Sequence, residues 1–359
     1  MSRRHVLLIN PPIAKRCNAR FPLAVLNLSA SLDAHYDSSI IDGNVDADYI
    51  ANTLRAIGQR RVEAVGVSVM GGPQLRSAIE VCSAIRMHHP QLPIIWGGHF
   101  PTICAEPALN SPYTDYAVRG QGEQTFIELL DTAFAGNHAA LQRIAGLSWR
   151  DGDRVVHNPN RAFSADGAGR PLPYERVGDP RPYLSGSYLG SRTTGYQAAL
   201  GCRYRCTFCG VAAMFRGKTA MPAAERLEQH LRSLRSNFGV DSILFYDHNF
   251  FDREDDTVPV LEVLARMKMP WWCFARADAL LNLSARSWKL VRASQLRMAY
   301  IGAESPSEWL LHEVRKGTHI DQTLAAVELC RSHGVTPELS FMLAPPQDPE
   351  GETERTFEF

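Results

Sequence analysis

Short apolar runs alternate with helix-patterned segments along most of this chain, and that rhythm constrains the fold more than any other feature of the sequence. Up to Ala135 the runs are His5–Ile9, Ser39–Asp42, Val62–Ser68, Pro93–Trp96 and Asp115–Val118. Between them lie the helical patterns Pro22–Ala34, Ala47–Ile57, Pro73–His88 and Glu123–Phe134. The runs are apolar on both sides, as strands must be when helices cover both faces of a parallel sheet. The spacing predicts a doubly wound, Rossmann-like α/β domain over residues 1–140.

The rhythm then breaks. Ile144–Trp149 and Arg154–His157 flank Asp151-Gly152-Asp153, a hairpin signal, and residues 158–190 collect Pro, Gly, Asp and Ser without periodicity. Residues 141–192 read as a hairpin and a linker. Alternation resumes with predicted strands at Gln197–Leu200, Ser242–Tyr246, Trp271–Ala275, Met298–Gly302 and Glu338–Leu343. Helical patterns separate them at Pro222–Phe238, Val258–Met267, Ser287–Ala293 and Thr323–His333, the first opening with Pro and stopping at Gly239. Residues 193–359 thus form a second α/β unit of five strands.

Composition narrows the function classes. Hydrophobic residues make up 45% of the 359 residues and charged residues 21%, which excludes a disordered chain. With 38 basic and 38 acidic side chains, nothing favours electrostatic capture of nucleic acid or of an anionic membrane. No stretch reaches the roughly 18 apolar residues of a membrane span. The N-terminal run Val6–Ile9 is too short for a signal peptide, and a cytoplasmic protein is expected.

Eight cysteines are too sparse for a disulfide scaffold. Cys17, Cys82, Cys104, Cys273 and Cys330 are scattered and read as buried small hydrophobes. Cys202, Cys206 and Cys209 differ: Gly201-Cys-Arg-Tyr-Arg-Cys-Thr-Phe-Cys-Gly210 sets them at spacing C-x3-C-x2-C. Three thiolates on one tight loop can hold three irons of a cubane and leave the fourth open to a chelating small molecule. A zinc site is the competing reading, although it wants a fourth Cys or His at short spacing and the nearest downstream candidate is His230. A loop with no metal is the other alternative.

This segment, after a strand and before a helix, resembles the signature of the radical S-adenosylmethionine superfamily, Phe208 before the last cysteine included. The resemblance implies a 4Fe–4S cluster on Cys202, Cys206 and Cys209, these being the catalytic and metal-binding residues. Its open iron would bind S-adenosylmethionine, and reduction would release a 5′-deoxyadenosyl radical. An electron donor such as flavodoxin or ferredoxin is implied as partner. Further segments resemble the family in order. Asp247, in Phe245-Tyr-Asp-His-Asn-Phe250, matches the acidic residue that faces the cofactor. Arg276, in Phe274-Ala-Arg-Ala-Asp278, matches the arginine that approaches the methionine carboxylate. Glu304, in Gly302-Ala-Glu-Ser305, matches the ribose contact. Phe341-Met-Leu-Ala-Pro-Pro346 with Glu352-Thr353 matches the fifth-strand segment, with Ala344 where the pattern has Gly. The carboxyl ends of parallel strands are where such chemistry collects. The family norm is a partial (β/α)6 barrel, so five strands imply a chain truncated after the fifth, or a barrel open on its last edge, where exposed apolar surface would be an aggregation hazard.

Open parallel sheets bind ligands beyond the carboxyl ends of their strands. In the first domain those ends are glycine-rich: Ser68-Val-Met-Gly-Gly72, Gly97-Gly-His-Phe-Pro-Thr102 and Arg119-Gly-Gln-Gly-Glu123. No G-x-G-x-x-G follows the first strand, which disfavours a nicotinamide cofactor. The pattern resembles the cobalamin-binding domain that precedes many radical S-adenosylmethionine enzymes. The resemblance implies that Ser68, Gly97 and Gly98 line a slot for the cofactor's nucleotide tail, and it implicates His99, Gly120, Gly122 and Glu123 more loosely. A sheet that only docks on the second domain is the alternative. The loop Asn10–Phe21 contains no His, so no protein imidazole is expected on cobalt; His35 falls at the end of the first helix, on the wrong side of the sheet. Together the resemblances imply a cobalamin-dependent radical S-adenosylmethionine enzyme. It would most commonly methylate an unactivated carbon or phosphorus of a small-molecule or peptide substrate, by way of methylcobalamin. A radical cyclase or rearrangement enzyme, and a carrier or regulatory module without catalysis, are the alternatives.

Overall fold

The computed structural model describes residues 3–165, 170–346 and 348–359. Four residues of the expected linker, 166–169, lie outside them. The chain divides into two compact units, Met1–Tyr183 and Leu184–Phe359.

In the N-terminal unit, β1 (His5–Asn10), α1 (Leu23–Leu32), β2 (Asp37–Asp42), α2 (Tyr49–Gln59), β3 (Val62–Ser68), α3 (Pro73–His88) and β4 (Ile94–Gly97) follow one another. Two short helices, α4 (His99–Ile103) and α5 (Ala105–Leu109), precede β5 (Tyr116–Val118) and α6 (Glu123–Phe134). The hairpin β6 (Leu147–Asp151) and β7 (Arg154–His157) turns through Gly152-Asp153. It is no mere connector: it completes a seven-stranded sheet of order β2-β1-β3-β4-β5-β6-β7, antiparallel to β5. The first five strands are parallel, and their order reverses beside β1.

Alternation along β1 builds two cores. Val6 and Leu8 pack with Val25 of α1 and Phe126 and Leu129 of α6. Leu7 and Ile9 point the other way, to Tyr49 of α2 and Val81 and Ile85 of α3. Gly66 in β3 keeps the first core closed, since a Cβ there would sit 2.9 Å from Leu8 and 3.0 Å from Phe126. Cys82, Cys273 and Cys330 are buried as expected; Cys104, between α4 and α5, is half-buried, and Cys17, in a short turn with no buried residue, is exposed.

The second unit runs β8 (Thr193–Tyr196), β9 (Leu200–Gly201), α7 (Gly210–Phe215), β10 (Thr219–Ala220), α8 (Ala224–Phe238), β11 (Ser242–Phe245), α9 (Glu254–Met267) and β12 (Trp271–Ala275). It continues through α10 (Ala277–Leu281), α11 (Ala285–Ala293), β13 (Leu296–Glu304), α12 (Glu308–Glu313), α13 (Ile320–Ser332), β14 (Thr336–Phe341) and α14 (Pro349–Glu358). Five of its strands form a parallel sheet in chain order, β8-β11-β12-β13-β14. The first of them is not the expected Gln197–Leu200 but Thr193–Tyr196, paired in register from Thr193–Ser242 to Tyr196–Phe245. Gly195 permits this, because any side chain there would meet the Tyr246 ring at 2.3 Å. The apolar residues Ala198 and Ala199 mimic a strand in sequence, but their N–H groups turn away to Asp247.

Burial along β12 alternates strictly: Trp271, Cys273 and Ala275 are buried, while Trp272 and Phe274 are half-open. The buried side is an aromatic core, with Trp271 5.5 Å from Phe245 and 4.8 Å from Phe250. The other side carries a second aromatic row, Phe274 lying 4.9 Å from Trp272 and 5.2 Å from Tyr300.

Candidate functional site

The cysteine loop is held at both ends. The two-residue strands β9 and β10 clasp its base, and inside it Thr207 N–H donates to the Val314 carbonyl at 2.9 Å. Cys206 is buried, Cys202 and Cys209 are half-buried, and Cys209 precedes α7. All three border one cleft of about 300 Å³ over the open aromatic face, together with Arg276, Glu304 and Lys316. Phe208 projects into the same cleft and is exposed. The other buried thiols are chemically quiet: burial pushes Cys82 and Cys330 up to about 12.

Arg276 follows the last residue of β12 and is only 4% exposed. Its guanidinium donates to both oxygens of Asp278, at 2.9 and 3.2 Å, and to the Lys316 carbonyl at 2.6 Å. Burial works against its charge, but Asp278 more than offsets this and holds it above the ordinary arginine value. Glu304 ends β13 on a bulge with φ of +66°, a left-handed conformation that costs a residue with a side chain roughly 1–2 kcal/mol. In that conformation its Oε1 accepts from Lys316 Nζ at 2.8 Å, both groups being nearly buried. Gly302 leaves the room, since a Cβ there would lie 2.4 Å from Glu304 Oε1 and 2.8 Å from Lys316 Nζ. Ser305, next in line, donates to the buried Glu352 at 3.0 Å, and Ala344 N–H donates to Thr353 at 2.9 Å. The Glu352-Thr353 pair therefore braces the ends of β13 and β14. Ala344 takes the left-handed conformation, φ +51°, that a Gly would adopt without cost.

Asp247 does not line the cleft with the others. It is fully buried, outside the cleft, and accepts from the N–H groups of Ala198, at 3.1 Å, and Ala199. Burial pushes it up to about 7, the two N–H groups opposing. In this position it fixes the segment that leads from β8 into the cysteine loop. Lys316, Tyr204 and Asp278 escaped the sequence reading. Lys316-Gly317 looks like any helix-ending turn, and no local pattern tells that its side chain meets a carboxylate 12 positions back.

Among the described residues no three His, Cys, Asp or Glu side chains converge on a point as a single metal ion requires. Tetrahedral zinc has no such set here. A cubane asks for something different, one thiolate on each of three irons, and three thiols bordering one cleft fit it. Cations and a carboxylate beside the thiols suit a ligand that carries a carboxylate and hydroxyl groups, as S-adenosylmethionine does.

The strand tips of the N-terminal unit hold the other expected site residues. Ser68 is paired with Gly97 across β3 and β4. Gly98, at φ +99°, carries the chain over Val69, whose O and N would lie 3.2 and 3.3 Å from a Cβ there. Space above Gly97 is open, with no atom within 4 Å of where its Cβ would stand. Thr102 joins the next tip, donating to Gly98 O at 2.6 Å and accepting from Gly120 N at 3.0 Å. His99 begins α4 and is half-buried. At the strand-order reversal the buried Gln74 accepts from Met70 N and donates to Pro11 O, both at 2.8 Å. Ser68, Gly97, Gly98 and Gly120 thus gather beyond the carboxyl ends of β3, β4 and β5, the end of the sheet on which doubly wound folds bind ligands. The hydroxyl, the open tip and the bare backbone fit a bulky nucleotide tail. Gly122 instead packs α6 on Val118. Glu123 parts from the group and borders another cavity, of about 260 Å³, with His35, Gln121 and Arg161. His35 is exposed beyond the end of α1.

Residues 13–130 match the B12 binding domain family, and residues 196–359 match the radical SAM superfamily. An uncharacterised methyltransferase of Pyrococcus horikoshii is 24% identical over 94% of this chain and 72% of its own length. An anaerobic magnesium-protoporphyrin IX monomethyl ester cyclase of Synechocystis is 24% identical over 92% of this chain and 67% of its own. Among solved structures, the cobalamin-dependent S-adenosylmethionine radical enzyme OxsB superposes with a TM-score of 0.81 at 19% identity, over 99% of this chain. This chain spans only 52% of OxsB, about half its length. No described helix is long and apolar enough to cross a membrane.

Proposed function

We propose that this chain, a cobalamin-dependent radical S-adenosylmethionine enzyme built from a B12-binding domain and a radical SAM domain, is a methyltransferase acting on an unactivated carbon or phosphorus of a small molecule. What carries the reading is the similarity to a methyltransferase across 94% of the chain, joined to a cleft with three thiols at one side and a cation–carboxylate pair at the other. The five parallel strands are read as part of a (β/α)6 partial barrel whose open face is the substrate side. When bound, the cluster supplies the electron that splits S-adenosylmethionine, and cobalamin carries the methyl group.

The residues of the chain do the placing. Cys202, Cys206 and Cys209 hold one iron each. Lys316 presents positive charge to a carboxylate, and Glu304, held by Lys316, accepts from ribose hydroxyls. Burial strengthens each of these contacts. Tyr246, Phe274 and Tyr300 line the cleft with rings that exclude water from the reacting atoms. Ser68, Gly97 and Gly98 receive the nucleotide tail of cobalamin. Methyl-labelled S-adenosylmethionine given to the reduced, loaded protein tests the reading without a known substrate. A methyltransferase moves the label to the bound cobalamin and releases S-adenosylhomocysteine. Label that stays in S-adenosylmethionine and its methionine fragment, with 5′-deoxyadenosine as the product, supports a cyclase instead. The match to the porphyrin cyclase over 92% of the chain favours that second reading.

A further inference from the structure

We propose that Arg276 donates a charged hydrogen bond to the Cys206 sulfur and thereby raises the reduction potential of the cluster, a role distinct from contacting S-adenosylmethionine. The inference rests on the reading that Cys202, Cys206 and Cys209 hold that cluster. Its basis is how completely the guanidinium is committed. Nε and Nη2 serve the Asp278 carboxylate, Nη2 also serves the Lys316 carbonyl, and Nη1 points at Cys206 Sγ, 3.8 Å away. Sulfur is large, so that separation is a hydrogen bond, and its donor is the cationic side of the Arg276–Asp278 pair.

The cysteine loop itself closes on the arginine. Tyr204, in the spacer between Cys202 and Cys206, lays its ring under the guanidinium, 3.5 Å from ring centroid to Cζ. Its hydroxyl donates to the same Asp278 at 2.9 Å. Tyr204, Asp278 and the Lys316 carbonyl therefore fix the cation from three directions, and the direction left to it is the ligand sulfur. Clamping of this kind wastes the reach of a side chain meant to follow a mobile ligand, but suits one meant to hold a fixed charge beside a fixed sulfur.

The physical consequence follows from charge. Reduction adds one electron to the cluster, taken from an external one-electron reductant such as dithionite, with no bond or proton exchanged. A cation bonded to a ligand sulfur stabilises the more negative, reduced form, and hydrogen bonds to sulfur are among the levers that set cluster potentials. Arg276 thus eases the electron entry on which the chemistry depends.

The experiment is an anaerobic potentiometric titration of the reconstituted full chain, followed by electron paramagnetic resonance. Arg276→Gln is expected to lower the midpoint by about 59 mV or more, a tenfold shift in the oxidised-to-reduced ratio for one electron. Arg276→Lys, which keeps the charge but not the fork, should fall between. An unchanged or higher midpoint in a loaded Arg276→Gln protein overturns the proposal. In the wild type, with 15N placed only in guanidinium groups, the reduced cluster should show electron-spin-echo coupling to a 15N nucleus. Absence of that coupling overturns the proposal even if the variants do not take up iron, and because Arg203 and Arg205 share the cysteine loop, coupling supports it only when it persists in a protein carrying Arg203→Lys and Arg205→Lys. A wild type that takes up no iron and sulfide removes the cluster reading itself; a loaded wild type without coupling removes only the inference about Arg276.

Discussion

Strand β3 of the N-terminal sheet buries residues on both faces, whereas β12 of the second sheet buries Trp271, Cys273 and Ala275 and leaves Trp272 and Phe274 half-open. The strand orders account for the difference. The first sheet reverses direction at β1, which sends α1 and α6 to one face and α2 and α3 to the other. With both faces covered, the surface left open to a ligand is at the carboxyl-terminal tips of its strands. The second sheet proceeds in chain order without reversal, and one of its faces stays available to line a cleft. Two sheets whose parallel strands share the same β-α rhythm thus leave different surfaces open, strand tips in one and a face in the other.

The largest expected effect tests whether those sites are separable. Changing Cys202, Cys206 and Cys209 together to Ala should abolish uptake of the roughly four irons and four sulfides of a cubane, with cobalamin binding unchanged. Gly97→Leu should do the reverse, because it fills the open space at the tip of β4. Iron, sulfide and cobalamin stoichiometries measure both, and loss of both cofactors in either variant would break the comparison.

A smaller effect separates the two faces of the second sheet. Phe245→Ala opens a cavity in the buried aromatic core and should cost about 3–5 kcal/mol in urea unfolding. Phe274→Ala, on the half-open face, should cost less than half of that while weakening S-adenosylmethionine binding. Equal costs would show that the second face is as closed as those of the first sheet.

The smallest effect is on pH. The folded-state value of Asp247, about 7, lies above the ordinary 3.8, so its ionisation is unfavourable in the folded chain. Its contribution to stability is whole below pH 3.8 and is lost as pH rises through about 7. Asp247→Asn cannot ionise and should flatten this dependence, at the constant cost of one weakened N–H contact to Ala198 or Ala199. Urea midpoints at several pH values between 5 and 8 compare the two proteins, and parallel curves would contradict the assignment.

Much of this molecule was legible in the sequence because the decisive features are local. Strand β3 and helices α3 and α6 fall where apolar periodicity puts them, since a period needs only neighbours along the chain. The cysteine triad and the glycine-rich tips are likewise short-range patterns. Where the reading slipped, distant residues had overridden local character. Ala198 and Ala199 look like strand, but Asp247, almost 50 positions away, takes their N–H groups, and the strand forms at Thr193–Tyr196 instead.

The sequence by itself determined the two α/β units, the three thiols that can share a cluster and the glycines that open the strand tips. Only the tertiary structure decided that Lys316 pairs with Glu304, that Asp247 faces inward, that Glu123 leaves the company of Gly97 and Gly98, and that Arg276 meets Cys206. The reason is physical. Three of these are pairings of polar groups brought together by chain reversal, Arg276 and Cys206 being 70 positions apart. A buried charge must find a partner, but one-dimensional order does not say which.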